Sequence, residues 1–392
     1  MSGSYDLGMP NRRVFIVHPY VQSYRRGLYE RLSSTLRELG LELRVVANES
    51  PPSLRERNDS TSGAWSREVP SRWVSILGRD VAVRSLSELQ PEAGDLFVLE
   101  QALKNLDTYP LLLRKQRSSF GVAMWGHGKT YSTYQHPVLR YAKNRLTQQA
   151  EWFFAYTYGG ARYVNTHGFP ASRTTVLNNT IDTATLLRDL TSVERASIEG
   201  FSRSLGLTPG RTCIFVGGID ERKGIDFLIA AASCVAEQLA GFTLLIGGAG
   251  RDMAKVQAAE RSGAPIRYLG RLQGLDKALA LKAADAMMIP QWIGLVAVDS
   301  LVSGRPIITT RHNSHSPESE YLIPGRNIIF TKHSVAEYAN GIADLLCDTR
   351  RLNHMQMSSA SDAHIFGLDD MVNRFAKGLQ AWVRQRRLHR LP

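Results

Sequence analysis

A segment of 27 residues, 284–310, constrains the fold of this chain more than any other segment. It reads ADAMMIPQWIGLVAVDSLVSGRPIITT. The apolar run 286–289 predicts a buried strand, and apolar residues at helical spacing over 295–302 predict a helix that ends before Gly304. Another strand begins at Pro306. A strand–loop–helix–strand unit of this kind is typical of a parallel sheet that binds a ligand at the carboxyl ends of its strands.

Buried apolar runs alternate with helical patterns through both halves of the chain. The predicted strands lie at 14–17, 41–46, 95–99, 122–125, 150–155 and 174–177, and then at 213–216, 243–246, 266–269, 286–289, 306–309 and 327–330. Residues 1–11 are predicted to be a loose leader, and the polar stretch 49–68 a long mobile loop. The predicted fold class is α/β, with two Rossmann-like doubly wound domains facing a central cleft.

Composition excludes several classes of protein. The chain has 392 residues, 43% of them apolar and 21% charged, which is normal for a globular protein of two domains. Its net charge of +12 suits nucleic acid, an anionic membrane face or phosphorylated substrates, but no motif supports nucleic acid. No cluster has metal-ligand spacing. The absence of a signal-peptide core and of a membrane-spanning run favours a cytoplasmic location.

Three cysteines bear on the compartment. Cys213, Cys234 and Cys347 are few, odd in number and set among apolar residues. They are expected to be reduced residues of the core rather than a disulfide framework, which agrees with a cytoplasmic protein.

The segment 284–310 resembles the donor-sugar loop of the retaining glycosyltransferases of family 4, which have the GT-B fold. That family usually carries two glutamates eight positions apart, and the matching positions here are Gln291 and Asp299. In the family the first acid bonds the donor sugar and the second chelates the ribose hydroxyls. The resemblance implies donor-binding roles for both residues, although Asp299 could instead face solvent on an amphipathic helix.

The start of the helix inside this segment adds a second donor contact. Free backbone N–H groups near Gly294, Leu295 and Val296 form a site for a phosphate or a sugar hydroxyl.

A glycine-rich turn with two cations opens the second half. Gly217 and Gly218 follow a predicted strand, and Arg222 and Lys223 come shortly after. Small residues let the backbone approach a phosphate, and the cations can neutralise a diphosphate, although a simple turn with surface cations would look the same. The family usually has an arginine where Gly218 stands, so Arg222 is expected to supply that guanidinium. Gly248 matches the family's turn beside the nucleotide, or is a plain tight turn.

Polar residues at strand ends in the first half are candidates for the acceptor side. His127 lies between two glycines after a strand, where the family has a histidine near the anomeric carbon of the donor; a structural histidine is the alternative. Glu100 and Lys129 are placed at the same edge by the strand-end rule. Tyr20 lies in the turn that begins at His18. In this turn Arg25, or its neighbour Arg26, could reach an acceptor phosphate or could merely start a solvated helix.

The resemblance also implies a division into domains. Residues 1–185 would form the acceptor-side domain, 186–365 the nucleotide-sugar donor domain, and 366–392 a C-terminal helix that returns to the first domain. The basic amphipathic stretch 136–146 could lie on an anionic membrane at its inner face or could be an ordinary surface helix.

The resemblance implies a retaining transfer of a sugar from a nucleotide diphosphosugar to an acceptor hydroxyl, in polysaccharide, glycolipid or glycoconjugate biosynthesis. His127, Arg222 and Lys223 would be its catalytic residues. The expected partners are the donor and an acceptor saccharide or lipid-linked glycan, with no metal and no further cofactor. Two alternatives remain open, a non-catalytic sugar- or nucleotide-binding relative and a sugar-nucleotide epimerase.

Overall fold

The computed structural model describes residues 12–57, 59–76, 79–115, 119–131, 136–311 and 315–388. Their contacts divide into two compact units. Unit 1 comprises the residues up to Ile181, apart from a short piece around Tyr131, and the residues from Leu368 onward. Unit 2 comprises Asp182–Gly367 together with that short piece. The division falls after Ile181, four residues before the predicted boundary. The predicted leader, residues 1–11, lies outside the described residues.

Unit 1 is built on a parallel sheet. The strands described in it are β1 (Arg12–Val17), β2 (Leu41–Val46), β3 (Ser66–Arg67), β4 (Ser71–Ile76), β5 (Arg79–Arg84), β6 (Leu96–Glu100), β7 (Gly121–Gly126), β8 (Trp152–Ala155) and β9 (Thr174–Val176). The order across the sheet is β3-β2-β1-β6-β7-β8-β9, and all its described pairs are parallel. Strands β4 and β5 form a separate antiparallel hairpin, which the sequence did not predict.

Helices cover both faces of this sheet. They are α1 (Arg26–Glu38), α2 (Thr108–Lys115), α3 (Pro137–Gln148) and α4 (Tyr158–Thr166). Leu28, Leu32 and Leu36 recur at a spacing of four residues, and this face of α1 is buried in one cluster with Val14 and Ile16 of β1. On the opposite face Phe15 stacks on Phe97, with ring centroids 4.8 Å apart. Strands that are buried on both faces have nearly continuous apolar sequences, which explains why they could be predicted from the sequence.

Unit 2 repeats the architecture. Its strands are β10 (Thr212–Val216), β11 (Thr243–Gly247), β12 (Ile266–Tyr268), β13 (Ala286–Met288), β14 (Ile307–Thr310) and β15 (Ile328–Thr331). Its helices are α5 (Thr183–Ser192), α6 (Arg195–Leu205), α7 (Ile225–Gln238), α8 (Met253–Arg261), α9 (Gly274–Ala283), α10 (Val296–Ser303), α11 (Val335–Cys347) and α12 (Thr349–Asp362). The sheet is parallel, in the order β12-β11-β10-β13-β14-β15.

The last helix, α13 (Leu368–Leu388), belongs to unit 1. Phe375 stacks on Phe154 of β8 with ring centroids 4.5 Å apart, and the fully buried Trp382 donates from Nε1 to Glu151 Oε2 at 3.0 Å. Chain that is distant in sequence therefore completes the core of the first unit.

Two sequence predictions are wrong in part. The stretch 49–68 contains a 3-10 helix, Pro52–Arg57, and the short strand β3, which pairs with β2. Trp65 anchors this stretch, because it is 4% exposed and its ring lies 5.0 Å from that of Tyr29. The three cysteines are free, but only Cys213 is buried; Cys347 ends α11 and is exposed.

No helix within the described residues is long and apolar enough to cross a membrane.

Candidate functional site

The polar residues of unit 2 gather where the strand order of its sheet reverses. Strands β10 and β13 are neighbours, and the chain leaves them toward opposite sides of the sheet. The turn after β10 holds Gly217 and the half-buried Gly218, and the turn after β13 holds Pro290 and Gln291. Ligands of open α/β sheets bind at such a crevice, at the carboxyl ends of the strands.

The structure brings the two cations of the first turn against the second turn. Lys223 Nζ lies over Gly217, 3.8 Å from the position that a Cβ would take there. The same Nζ donates to the carbonyl oxygen of Trp292 at 2.7 Å. The guanidinium carbon of Arg222 lies 5.2 Å from the centre of the Trp292 ring, and its side chain is 58% exposed. The edge therefore carries two positive charges beside a glycine backbone.

Gln291 lies next to these cations. Its amide carbon is 2.9 Å from the Cβ position of Gly224, whose φ of +67° favours glycine. The side chain is half-buried, and its amide has no hydrogen-bond partner among the residues that the structure describes. Gln291 thus offers an uncharged donor and an acceptor beside Lys223.

Trp292 is a site residue that the sequence did not reveal. Its φ of +47° is in the left-handed region, which bulky residues rarely adopt. Lys223 holds its carbonyl oxygen, and the next amide, that of Ile293, donates to His315 Nδ1 at 3.3 Å. Strained backbone of this kind persists where its surroundings hold it, typically in binding sites.

A polar network from β14 fixes the start of the same loop. The carbonyl oxygen of Pro290 accepts from the amide of Thr310 at 3.3 Å and from Thr310 Oγ1 at 2.8 Å. His333 Nδ1 lies 2.9 Å from that hydroxyl, and the His333 ring stacks on Phe227. These contacts join residues about 20 positions apart, so no local sequence pattern could predict them.

The predicted helix start is present. Helix α10 begins at Val296, and the amides of Ala297 and Val298 bond back to the carbonyls of Gly294 and Leu295. The amides of Gly294, Leu295 and Val296 have no acceptor among the described residues, and a Cβ on Gly294 would meet nothing within 4 Å. Backbone amides that face open space at a helix start can bind an anion.

Asp299 is buried rather than solvent-facing, so the amphipathic alternative is wrong. Its residue is 6% exposed, and Lys277 Nζ of α9 donates to Oδ1 at 2.6 Å. This ion pair neutralises the carboxylate, which would be costly to bury alone.

Gly248 is required by close packing. Its φ is +152°, and a Cβ would lie 1.9 Å from the carbonyl oxygen of Gly217. Its amide donates to the Gly270 carbonyl at 2.7 Å. The turn after β11 therefore supports the glycine turn after β10.

In unit 1, His127 follows β7 in a turn that only glycines permit. A Cβ on Gly126 would lie 2.6 Å from Cβ of Gln101, and one on Gly128 would lie 2.4 Å from the carbonyl oxygen of Gly160. The His127 ring is half-buried and meets Tyr156 edge-on, with centroids 4.5 Å apart. The glycines position the histidine through packing.

Gln101 and Lys143 were not identified from the sequence. Gln101 Oε1 accepts from the Gly128 amide at 3.0 Å, and its Nε2 donates to Thr147 of α3 at 2.7 Å. Lys143 Nζ donates to Thr130 Oγ1 at 3.3 Å. A polar residue directly after a buried strand was the only signal for Gln101.

Burial lowers the pKa of Lys143 to about 8, and nearby Glu100 partly opposes the shift. Glu100 ends β6 and accepts from Asn105 Nδ2 at 3.2 Å. Lys129, two residues after His127, is exposed. The structure therefore places Glu100 near a buried amine that the sequence did not assign to this edge.

Replacing Lys143 with methionine is expected to stabilise the protein by about 1–3 kcal/mol at pH 7, because the variant no longer buries a charged amine. Between pH 8 and 10.5 the unfolded chain holds a proton that the native chain has lost, so native stability rises with pH and the difference disappears above that window. Chemical denaturation at pH 7 and pH 10.5 measures it. Lys104→Met, at an exposed position, is the control; destabilisation by Lys143→Met at pH 7 would contradict the argument.

Arg25 is buried, so the solvated helix start is wrong for it. It is 5% exposed and donates from Nη2 to the Tyr156 hydroxyl at 2.9 Å. Arg26, by contrast, is exposed and pairs with Glu30 at 2.8 Å. Tyr20 is also buried. Because Tyr156 contacts both Arg25 and His127, two predicted site residues meet through a third that was not predicted.

The family model for group 1 glycosyl transferases matches residues 210–348, which include every unit 2 residue of the site. This part of the chain is similar to the group 1 glycosyl transferases. The glycine turn, the cations and the loop after β13 all lie within the matched residues. Within the described residues, no group of three His, Cys, Asp or Glu side chains is placed to hold a metal ion.

Curated relatives match a part of the chain. A phosphatidyl-myo-inositol mannosyltransferase of Mycobacterium tuberculosis is 31% identical over 121 residues, which is 29% of this chain and 30% of that protein. The alignment thus spans less than a third of the relative's length.

Solved structures match nearly the whole chain. Anabaena HepE in complex with UDP and glucose has a TM-score of 0.66 at 15% identity, over 95% of this chain and 100% of that one. Sucrose-phosphate synthase from Thermosynechococcus elongatus has a TM-score of 0.67 at 14% identity, over 94% and 98%. The fold is that of the GT-B glycosyltransferases, which confirms the predicted α/β class with two Rossmann-like halves.

Proposed function

We propose that this protein transfers a sugar from a nucleoside diphosphate sugar to an acceptor hydroxyl, with retention of the anomeric configuration. One observation carries the proposal. Lys223 and Arg222 lie at the carboxyl edge of the unit 2 sheet, against the loop that precedes α10. Two cations beside a glycine turn suit a diphosphate better than a neutral ligand.

The main electrostatic demand of such a transfer is the charge that develops on the departing diphosphate. Lys223 and Arg222 would stabilise that charge, together with the amides of residues 294–296. The acceptor oxygen bonds to the anomeric carbon on the face from which the diphosphate leaves, and a leaving phosphate oxygen takes the hydroxyl proton. This route needs no protein carboxylate at Gln291, whose amide can bond sugar hydroxyls.

The other candidate residues from the sequence take supporting roles in the proposal. Asp299 keeps lone pairs beyond the one that Lys277 uses, so it can accept from a ribose hydroxyl. His127 would give a polar contact to the donor sugar. Tyr20, Glu100 and Lys129 remain candidates for the acceptor side.

The relatives support the same class of substrate. HepE was solved with UDP and glucose, and the mycobacterial relatives are phosphatidyl-myo-inositol mannosyltransferases. These names favour a hexose donor and a glycan or glycolipid acceptor, as in polysaccharide, glycolipid or glycoconjugate biosynthesis inside the cytoplasm.

The test is calorimetric titration of the full chain with UDP, GDP and ADP, and with their glucose and mannose conjugates. We expect at least one diphosphate to bind, and the matching monophosphate to bind more weakly because it lacks one anionic group. Turnover should then require an acceptor. Binding without turnover would favour the non-catalytic relative, conversion without an acceptor would favour an epimerase, and no nucleotide binding would end the proposal.

Peripheral contact with an anionic membrane also belongs to the proposal, and α3 supports it. Val138, Leu139 and Tyr141 are 64%, 49% and 67% exposed, and Arg140 lies among them. An exposed apolar turn with basic residues is typical of a helix that lies at a lipid surface.

We expect Leu139→Gln with Tyr141→Gln to weaken sedimentation with phosphatidylglycerol vesicles several-fold, because each buried apolar side chain contributes roughly 1 kcal/mol or more. Leu187→Gln, at a 55% exposed position in α5, is the matched control. Native protein that does not sediment with these vesicles would refute the membrane contact.

A further inference from the structure

Arg25 is a buried cation that no carboxylate neutralises. Its residue is 5% exposed, Nη2 is used by the Tyr156 hydroxyl, and Nη1 has no hydrogen-bond partner among the described residues. None of the described carboxylates forms an ion pair with it. Its guanidinium carbon lies 4.6 Å from the ring centre of Trp125 and 5.3 Å from that of Tyr24. Aromatic faces attract the charge but do not neutralise it.

Another buried arginine of the same unit, Arg84, has an ionic partner. Arg84 is paired with Asp107 at 2.5 Å, and both side chains are nearly inaccessible. Arg84 also donates to the carbonyl oxygen of His18. Because burial of a charge is costly unless the charge is paired, Arg84 has the partner that a structural arginine needs. Arg25 lacks that partner, which points to an anion from outside the chain.

Other unsatisfied polar atoms surround Arg25. Trp125 Nε1 and His18 Nε2 are buried and have no hydrogen-bond partner in the described part of the chain. The two rings lie 5.1 Å apart. Burial, and then the charges of Arg25 and Arg84, hold the pKa of His18 well below its usual value, so the ring is neutral. The indole can only donate, and the neutral imidazole has one N–H to donate.

The place of this cluster in the sheet also fits a ligand. His18 directly follows β1, and Arg25 closes the 3-10 turn Ser23–Arg25 that comes next. Strands β1 and β6 are neighbours at which the strand order of the unit 1 sheet reverses. This is the position in unit 1 that corresponds to the β10–β13 edge of unit 2, where open α/β sheets bind ligands.

We propose that Arg25, with His18 and Trp125, recognises a phosphate or carboxylate group on the acceptor sugar. The inference rests on the proposed function, since a transferase needs an acceptor. Nη1 of the guanidinium can donate to an oxygen of either group, and the negative charge offsets that of Arg25, whereas a neutral hydroxyl would leave the buried charge in place. The acceptor is therefore an acidic sugar, such as a sugar phosphate or a uronic acid.

Calorimetric titration of the full chain with glucose 6-phosphate, glucuronate, glucose and inorganic phosphate tests this. We expect both acidic sugars to bind more tightly than glucose, and Arg25→Gln to weaken their binding about tenfold or more through the loss of a charge-assisted bond. If Arg25→Gln weakens the binding of inorganic phosphate and of glucose 6-phosphate equally, the site is a general anion site. If it weakens the binding of the sugar phosphate more, the site is an acceptor site. Trp125→Phe, which keeps an aromatic ring and removes Nε1, should weaken the binding of the same ligands.

Arg26→Gln is the matched control, because Arg26 is the exposed neighbour of Arg25, and its binding should equal that of the native chain. Arg25→Met separates ligand binding from a structural role: a binding residue without an ionic partner can be replaced without a lower melting temperature. If Arg25→Gln does not fold, Arg25→Lys and Trp125→Phe make the comparison.

Two results would overturn the inference. One is equal affinity of the native chain for acidic and neutral sugars, and the other is unchanged affinity in the Arg25 variants. UDP binding, measured in the same proteins, tests unit 2 separately. Normal UDP binding with no effect of Arg25 refutes this inference alone, whereas loss of nucleotide binding in the native chain refutes the proposed function.

Discussion

Replacing Lys223 with methionine is expected to lower the transfer rate about 10²–10³-fold, which corresponds to roughly 3–4 kcal/mol of lost transition-state stabilisation. The ammonium group lies over Gly217 and donates to the Trp292 carbonyl, so its loss removes a charge from the glycine turn after β10 and a hydrogen bond to the loop after β13. Steady-state kinetics with the donor found by the binding screen measures the effect. Arg222, which is 58% exposed, should contribute less because solvent screens its charge.

Lys332→Met is the matched control for charge. Lys332 is 77% exposed and pairs with Glu337 at 3.0 Å. We expect it to leave the rate unchanged. Lys223→Arg separates the charge from the hydrogen bond to the Trp292 carbonyl, because it keeps the positive charge. Partial recovery of the transfer rate would assign the larger part of the effect to electrostatics. An unchanged rate in Lys223→Met would remove Lys223 from the mechanism.

The second large effect is on stability. Gly248→Ala is expected to reduce the free energy of unfolding by about 3 kcal/mol or more, because overpacking against rigid backbone is costly. The added Cβ would lie 1.9 Å from the carbonyl oxygen of Gly217, and φ at this position is +152°. Since backbone cannot move aside as a side chain can, the turns after β10 and β11 would separate. Urea denaturation, with nucleotide titration on the folded fraction, measures both consequences.

Gly200→Ala is the control for the same chemical change. Gly200 lies within α6, and a Cβ there would meet nothing within 4 Å. Alanine in an exposed helix is expected to stabilise the chain by about 0.5–1 kcal/mol. If Gly248→Ala were as well tolerated, the close approach of Gly248 to Gly217 would not constrain the turn.

The strands were predictable because of how parallel sheets are buried. In a sheet covered on both faces most residues of a strand are apolar, so β1, β7, β10 and β13 contain short apolar runs between polar turns. Strand β3 is polar and only two residues long, and β4 and β5 mix apolar with polar and charged residues, so none of them forms an apolar run. Trp65, Val69, Val81 and Ala82 are buried in this region, but they are too scattered along the chain to show a periodicity.

The candidate site divides in the same way. Glycines and cations directly after strand ends, such as Gly217 and Lys223, could be found because the carboxyl edge of a sheet is a general place for ligands. Contacts over long sequence separation could not: Lys223 and Trp292 are 69 positions apart. The burial of Arg25 was hidden too, since its aromatic neighbours Trp125 and Tyr156 come from other strands and turns.

The packing of α13 has a consequence for synthesis. Strand β8 presents Phe154 to a place that Phe375 fills, yet 220 residues separate the two in the chain. At the usual elongation rate of about 5–20 residues per second, the ribosome takes roughly 10–45 s to make that interval. Throughout this time the first unit has an open apolar groove, whereas the second unit receives all its elements in one continuous stretch. The half of the molecule that is made first is therefore the half that finishes folding last.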